Sequence, residues 1–233
     1  MTNFFVSLQK QIKNFSNMKR FTLTILVITL SFCVFAQQSN TIAMTGCNTN
    51  IPGWGNSLGS VSFASNQTWT IGNQTWSDAV TATACQKETF NGGCRKTLNF
   101  SADCRSNPGF PGDFFSWCAI VRFAVDFCPY PWRVPTREDF ITLDRILGGT
   151  GIFRNTRSPR SIRNHFINRW GGAFGGFCYS DDLLLNRGSW GLYWTLSEQS
   201  ADQGFGLFFD TRGNIIPQNS ANKGSGLALR CVQ

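Results

Sequence analysis

The chain has 233 residues, 15% of them charged and 14% aromatic, with a formal net charge of +8, nine cysteines and a single histidine, His165. No two cysteines have Cys-x-x-Cys spacing, so with one imidazole the common zinc-ligand patterns are missing. Lys10, Lys13, Lys19 and Arg20 fall in the first 36 residues; the remaining 17 basic side chains face 13 acidic ones, a balance of +4 that gives little support for a broad nucleic-acid footprint.

Met18-Lys19-Arg20 precedes a 16-residue apolar run, Phe21 to Ala36 (FTLTILVITLSFCVFA), which ends in Val34-Phe35-Ala36. The run is short for a bilayer span and ends in a small-residue cleavage pattern, so residues 1–36 read as a secretory signal peptide, leaving an exported protein with no stable membrane span. Eight cysteines remain: Cys47, Cys85, Cys94, Cys104, Cys118, Cys128, Cys178 and Cys231. An even number in an exported chain favours a disulfide framework over zinc, with the pairing left open by spacing alone. Residues 37–65 form a polar N-terminal segment, and one domain follows.

In "SVSFASNQTWTIGNQTWS" the alternation of Val61 and Phe63, then Trp69 and Ile71, predicts strands, with a hairpin through Ile71-Gly72-Asn73. Residues 85–112 hold three cysteines and six glycines or prolines, the composition of a long loop needing covalent pinning. From Asp113 as N-cap, the spacing of Phe114, Trp117, Cys118, Val121, Ala124 and Val125 predicts a helix ending near Asp126. Pro129, Pro131 and Pro135 then impose an extended path. Thr136 and Asp139 form a Thr-x-x-Asp capping box for a second helix, with Phe140, Leu143, Ile146 and Leu147 buried and Gly148-Gly149 at its end. A basic connector leads to strands in "WGLYWTLS", where Trp190, Leu192, Trp194 and Leu196 share one face. The segment "GFGLFFDTRGNIIP" reads as two strands turning at Asp210 to Gly213, and "GLALRCV" as a last strand with Leu227, Leu229 and Cys231 on one face. The fold class is α+β.

The order of "IGNQTWSDAV", "FSWCAIVRFAVDFCPYPWRVPTREDFITLD", "GGFCYSDD", "YWTLSEQ" and "GLALRCVQ" resembles the Fibrobacter succinogenes major paralogous domain, a family of exported bacterial domains, over residues 66–233. That family is similar to the C-type lectin-like fold, which also includes formylglycine-generating enzymes. The resemblance implies a disulfide-stabilised domain of two helices, antiparallel sheets and a long loop region. It also implies a clamp between the ends of the domain, expected as a Cys128–Cys231 bridge; Trp132, on an inferred core face, is expected to fill the space under the second helix. The Glu-Pro-Asn, Gln-Pro-Asp and Trp-Asn-Asp elements of calcium-dependent lectins are missing from the sequence.

His165 has no nucleophile elbow near it in sequence and reads as a surface residue of a basic loop. Asp181, Asp182 and Glu198 flank the aromatic strand, where carboxylates either ligate calcium or serve as an acid/base pair; Asp181-Asp182 reads more simply as a turn. Arg154, Arg157, Arg160 and Arg163 recur every third residue and Arg169 follows, a series suited to phosphate, sulfate or uronate groups or to a solvated loop. Trp69, Trp117, Trp132 and Trp194 fall on inferred core faces, whereas Trp170, Tyr179 and Tyr193 are expected to be exposed and to join the arginines in a binding set. The functional expectation is a non-catalytic binding module at the cell envelope that recognises a cell-surface glycan or envelope protein, with no cofactor, metal or nucleic acid. Its alternatives are a structural subunit of an envelope or adhesin assembly and a formylglycine-generating-type oxidoreductase.

Overall fold

A computed structural model of the chain describes residues 60–83, 104–179 and 183–233. The expected signal peptide over residues 1–36, the polar segment up to residue 59, Cys47, Cys85, Cys94 and Asp181-Asp182 lie outside the described residues. The fold is mixed α+β, with antiparallel pairing between all the strands that form its sheets.

The first sheet is built on β3 (Gln74–Ala82). β2 (Thr68–Ile71) and β1 (Val61–Phe63) pair with successive stretches of it, and β12 (Arg230–Val232) pairs along its other side. The expected hairpin is present: only Gly72 and Asn73 separate β2 from β3, and Gly72 takes a φ of 63°, a conformation glycine reaches without steric cost. The second sheet has the order β6 (Asn155–Thr156), β11 (Asn214–Asn222), β10 (Gln203–Asp210), β9 (Trp190–Glu198), and the turn from Asp210 to Gly213 falls where the sequence placed it.

The first predicted helix is corrected at its start. Asp113 does not cap it: its carboxylate accepts from the Ala82 amide at 3.0 Å and its amide donates to the Val80 carbonyl at 2.9 Å. These bonds hold the chain extended, so Phe114–Phe115 form β5, paired with β4 (Cys104–Arg105). Ser116 is the actual N-cap of α1 (Trp117–Arg122), accepting from the Ala119 amide at 3.1 Å. The helix breaks at Phe123 before α2 (Ala124–Phe127), and Val125, expected to be buried, is 66% exposed.

α3 (Arg137–Ile146) begins with the predicted capping box. The Asp139 carboxylate accepts from the Thr136 amide at 2.7 Å and the Thr136 hydroxyl at 2.9 Å, from both Arg133 guanidinium nitrogens at 2.6 and 2.8 Å, and from Gln74 of β3 at 2.9 Å. Burial raises the Asp139 pKa, but Arg133 and the Thr136 donors outweigh it, and the net displacement is downward. A carboxylate depressed in the folded state adds stability above its unfolded pKa of about 4 and loses it as pH falls through the folded value. Asp139→Asn should therefore flatten the acid limb of a stability-versus-pH curve below about pH 4; an unchanged limb would show that another group controls it.

The main core lies between α3, the two sheets and the connector. Trp76 stacks on Phe140 (5.3 Å, 12°), and Trp170 stands edge-on to both. Trp132 does not fill this space; it is half-buried and meets Phe63 of β1 edge-on at 5.6 Å. Trp117 and Trp194 are buried as expected, whereas Trp69 is half-buried. The connector is not a loop throughout: α4 (Pro159–Ile162), with Ser158 as N-cap, runs into a π-helical stretch, Arg163–Arg169. Ile162, Phe166 and Trp170 recur every fourth residue and are fully buried.

Cys128 and Cys231 form a disulfide across a sequence separation of 103, the clamp that the resemblance implied. Cys104, Cys118 and Cys178 are also disulfide-bonded. Among the described residues, no helix is long and apolar enough to cross a membrane.

Candidate functional site: an aromatic cleft

The second sheet presents two different faces. Tyr193, Leu207, Phe209 and Ile215 point into the main core, where Phe209 stacks on Phe166 at 5.0 Å. The alternate positions Leu192, Phe208 and Ile216 lie in one cross-strand row, Leu192 opposite Phe208 and Phe208 opposite Ile216. Together they floor an open cleft of about 560 Å³.

One wall comes from β7 (Phe177–Cys178), paired with β8 (Leu184–Leu185). The Gly176 amide donates to the Trp190 carbonyl at 2.8 Å, placing β7 beside the start of β9. The Phe177 and Trp190 rings are consequently parallel, 5.9 Å apart with 6° between planes. Phe208 meets Trp190 edge-on at 5.1 Å, and Tyr179 meets Phe177 edge-on at 6.4 Å. Asn219, Ser220, Asn222, Ser225 and Gln203 add amides and hydroxyls to the lining. Among the described residues that line the cleft, none is charged. The Gln203, Asn219 and Ser220 side chains hydrogen-bond to no described residue, so their polar groups are available to a ligand.

This arrangement offers flat apolar rings beside neutral donors and acceptors, suited to the apolar face and hydroxyl edge of a sugar. No family model, curated protein or solved structure matches the chain. The chemistry of the cleft is accordingly read from its own side chains.

The structure scatters the binding set expected from sequence. Tyr179 is 48% exposed and belongs to the cleft wall. Trp170 and Tyr193 are corrected: both are buried in the main core, 4.9 Å apart edge to face. The Tyr193 hydroxyl accepts from the Ala173 amide at 2.7 Å, and burial pushes its pKa up. Period-two alternation put Tyr193 opposite Trp190 and Leu192, but both faces of β9 are covered along its middle, so a position outside the predicted apolar face still faces protein.

Arg154, Arg160, Arg163 and Arg169 are exposed, and Arg154 donates to Asn214 at 3.3 Å. Arg157 differs: it ion-pairs with the fully buried Asp144 and donates to the Leu147 carbonyl at 2.6 Å and the Asp144 carbonyl at 3.1 Å, neutralising the end of α3. A Cβ at Gly149 would overlap both the Arg157 guanidinium and the Asp144 carboxylate, so the glycine makes room for this pair. Arg157 therefore holds the scaffold rather than facing a ligand.

His165 sits half-buried on the π-helical stretch, not in a loop, with the Ser161 hydroxyl 3.4 Å from Nδ1. No carboxylate hydrogen-bonds to it among the described residues. Glu198 ion-pairs with buried Lys223, whose ammonium lies 4.5 Å over the Trp117 ring. Among the described residues, no group of three or more His, Cys, Asp or Glu side chains is placed to hold a metal ion.

Sequence reasoning missed Phe177, Phe208, Ile216 and the amide rim. The alternation in "GFGLFFD" separated Leu207 and Phe209 from Phe208, but no residue pattern tells which set meets the core.

Proposed function

We propose that the chain is an exported, non-catalytic binding module of the C-type lectin-like kind, a member of the Fibrobacter succinogenes major paralogous domain family acting at the cell envelope. Its ligand is a glycan held in the aromatic cleft. The observation that carries this reading is the parallel Phe177–Trp190 pair in an open cleft whose polar rim, among the described residues, is uncharged. Such a lining favours neutral hydroxyl-rich sugars over uronates or phosphosugars, because a carboxylate or phosphate there would be desolvated without a cationic partner. The recruitment of Cys104, Cys118, Cys128, Cys178 and Cys231 into disulfides supports a structural role for sulfur over the thiol chemistry of the oxidoreductase alternative.

A panel of neutral and acidic oligosaccharides, followed by tryptophan fluorescence and calorimetry, tests this. A neutral member should bind, and Trp190→Ala should weaken it at least tenfold, about 1.4 kcal/mol, with the fold intact. Binding that ignores Trp190→Ala, or a panel with no binder, would overturn the reading. Tyr130, 97% exposed in the Cys128 corner, favours the alternative of an assembly subunit. A stoichiometric envelope partner lost on Tyr130→Ala would support that alternative instead.

A further inference from the structure

We infer that the loop between α3 and β6 is an interfacial anchor, in which Ile152 and Phe153 enter an anionic lipid surface while neighbouring arginines engage its phosphates. Ile152 is 57% and Phe153 63% exposed, two large apolar side chains adjacent in the chain that the described residues leave largely uncovered. Their exposure is imposed by the backbone on either side. The Gly151 amide donates to Asp144 at 2.9 Å and its carbonyl accepts from Gln218 at 3.2 Å. On the far side, Asn155 donates to Asp144 at 3.1 Å and pairs with Ile215 across the sheet. With both flanks tied down, the intervening pair cannot turn inward to the core.

The surroundings of the pair are cationic. Arg145 reaches back from α3 over Gly151, where an added Cβ would lie 2.5 Å from its Nε. Arg154 follows Phe153 directly and donates to Asn214 at the β10–β11 turn, which also carries exposed Arg212. The nearby carboxylates are already engaged: Asp144 holds Arg157, and Asp210 is buried, accepting from the Arg212 and Asn214 amides and the Asn214 side chain. An apolar tip of two residues is far smaller than a stable protein interface needs. Apolar side chains ringed by long cationic ones instead match the boundary where acyl chains and phosphates lie within one side-chain length. This surface does not depend on the glycan reading, because it shares no residue with the aromatic cleft.

Sedimentation of the exported protein with vesicles of phosphatidylcholine, with and without phosphatidylglycerol, tests the proposal, read as the ratio of binding to the two so that any retained apolar leader cancels. The anionic vesicles should be preferred. Arg154→Ala should lower the preference about fivefold, and Ile152→Ser with Phe153→Ser should lower anionic binding about tenfold or more at an unchanged melting temperature. Equal binding to both vesicle types, no binding to either, or anionic binding untouched by the double serine variant would each overturn the proposal.

Discussion

Arg230→Ala is expected to lower the melting temperature by about 10 °C, corresponding to a loss of about 3–5 kcal/mol in a domain of this size. Arg230 is fully buried, its guanidinium carbon 4.3 Å from the Trp69 ring centroid and 4.6 Å from that of Trp170. Its Nε donates to the Ser77 carbonyl at 2.7 Å and its Nη1 to the Trp170 carbonyl. Burial pulls its pKa down to about 10, while Tyr193 and Asp78 act in the opposite direction, so the group remains a cation at neutral pH. Alanine would leave two buried carbonyls without donors and a void between two indoles, and each defect alone costs kilocalories. Arg230→Lys should recover only part of the loss, because an ammonium cannot lie flat between two rings while donating in two directions. A melting temperature within two or three degrees of the parent for Arg230→Ala would refute the central role assigned to this side chain.

The double variant Cys128→Ala with Cys231→Ala should lose about 4–5 kcal/mol of unfolding free energy, the chain-entropy value for opening a loop of roughly a hundred residues. The bridge joins the turn after α2 to β12, and the backbone beside it is already paired: Arg133 and Val232 exchange two hydrogen bonds of 2.9 Å. The noncovalent contact sets the geometry, and the covalent link restricts the unfolded chain. Reduction of the whole protein is a less clean test, since Cys104, Cys118 and Cys178 are also disulfide-bonded. Urea melts of the double variant that moved by less than about 1 kcal/mol would show that the paired backbone suffices.

The elements legible in the sequence were those whose signals are local. Thr136 and Asp139 announce the start of α3 through their own side chains, and Gly72-Asn73 sets the β2–β3 hairpin. The first helix was misplaced because Phe114 and Phe115 fit a helical face as well as a strand, and the bonds from Asp113 to Val80 and Ala82, more than 30 residues away, decided between them. In the connector, five arginines masked the four-residue spacing of Ile162, Phe166 and Trp170, although Ser158-Pro159 was a readable helix start. The cleft was the least legible feature. Of its wall, only Tyr179 was expected to be exposed, because whether an aromatic side chain faces a core or a ligand depends on which sheet face is left uncovered.

The two-sided second sheet has a consequence for how this sequence can vary. In β10, Phe208 answers to the cleft and Leu207 and Phe209 to the core, so Phe208 and its cross-strand neighbours Leu192 and Ile216 can drift while Leu207 and Phe209 stay fixed. Inserting or deleting one residue between Leu207 and Phe209 would exchange the two sets, sending packed rings outward and binding groups inward. Length within that strand is thus more constrained than identity, and diversification of ligand choice is open to point changes but closed to indels.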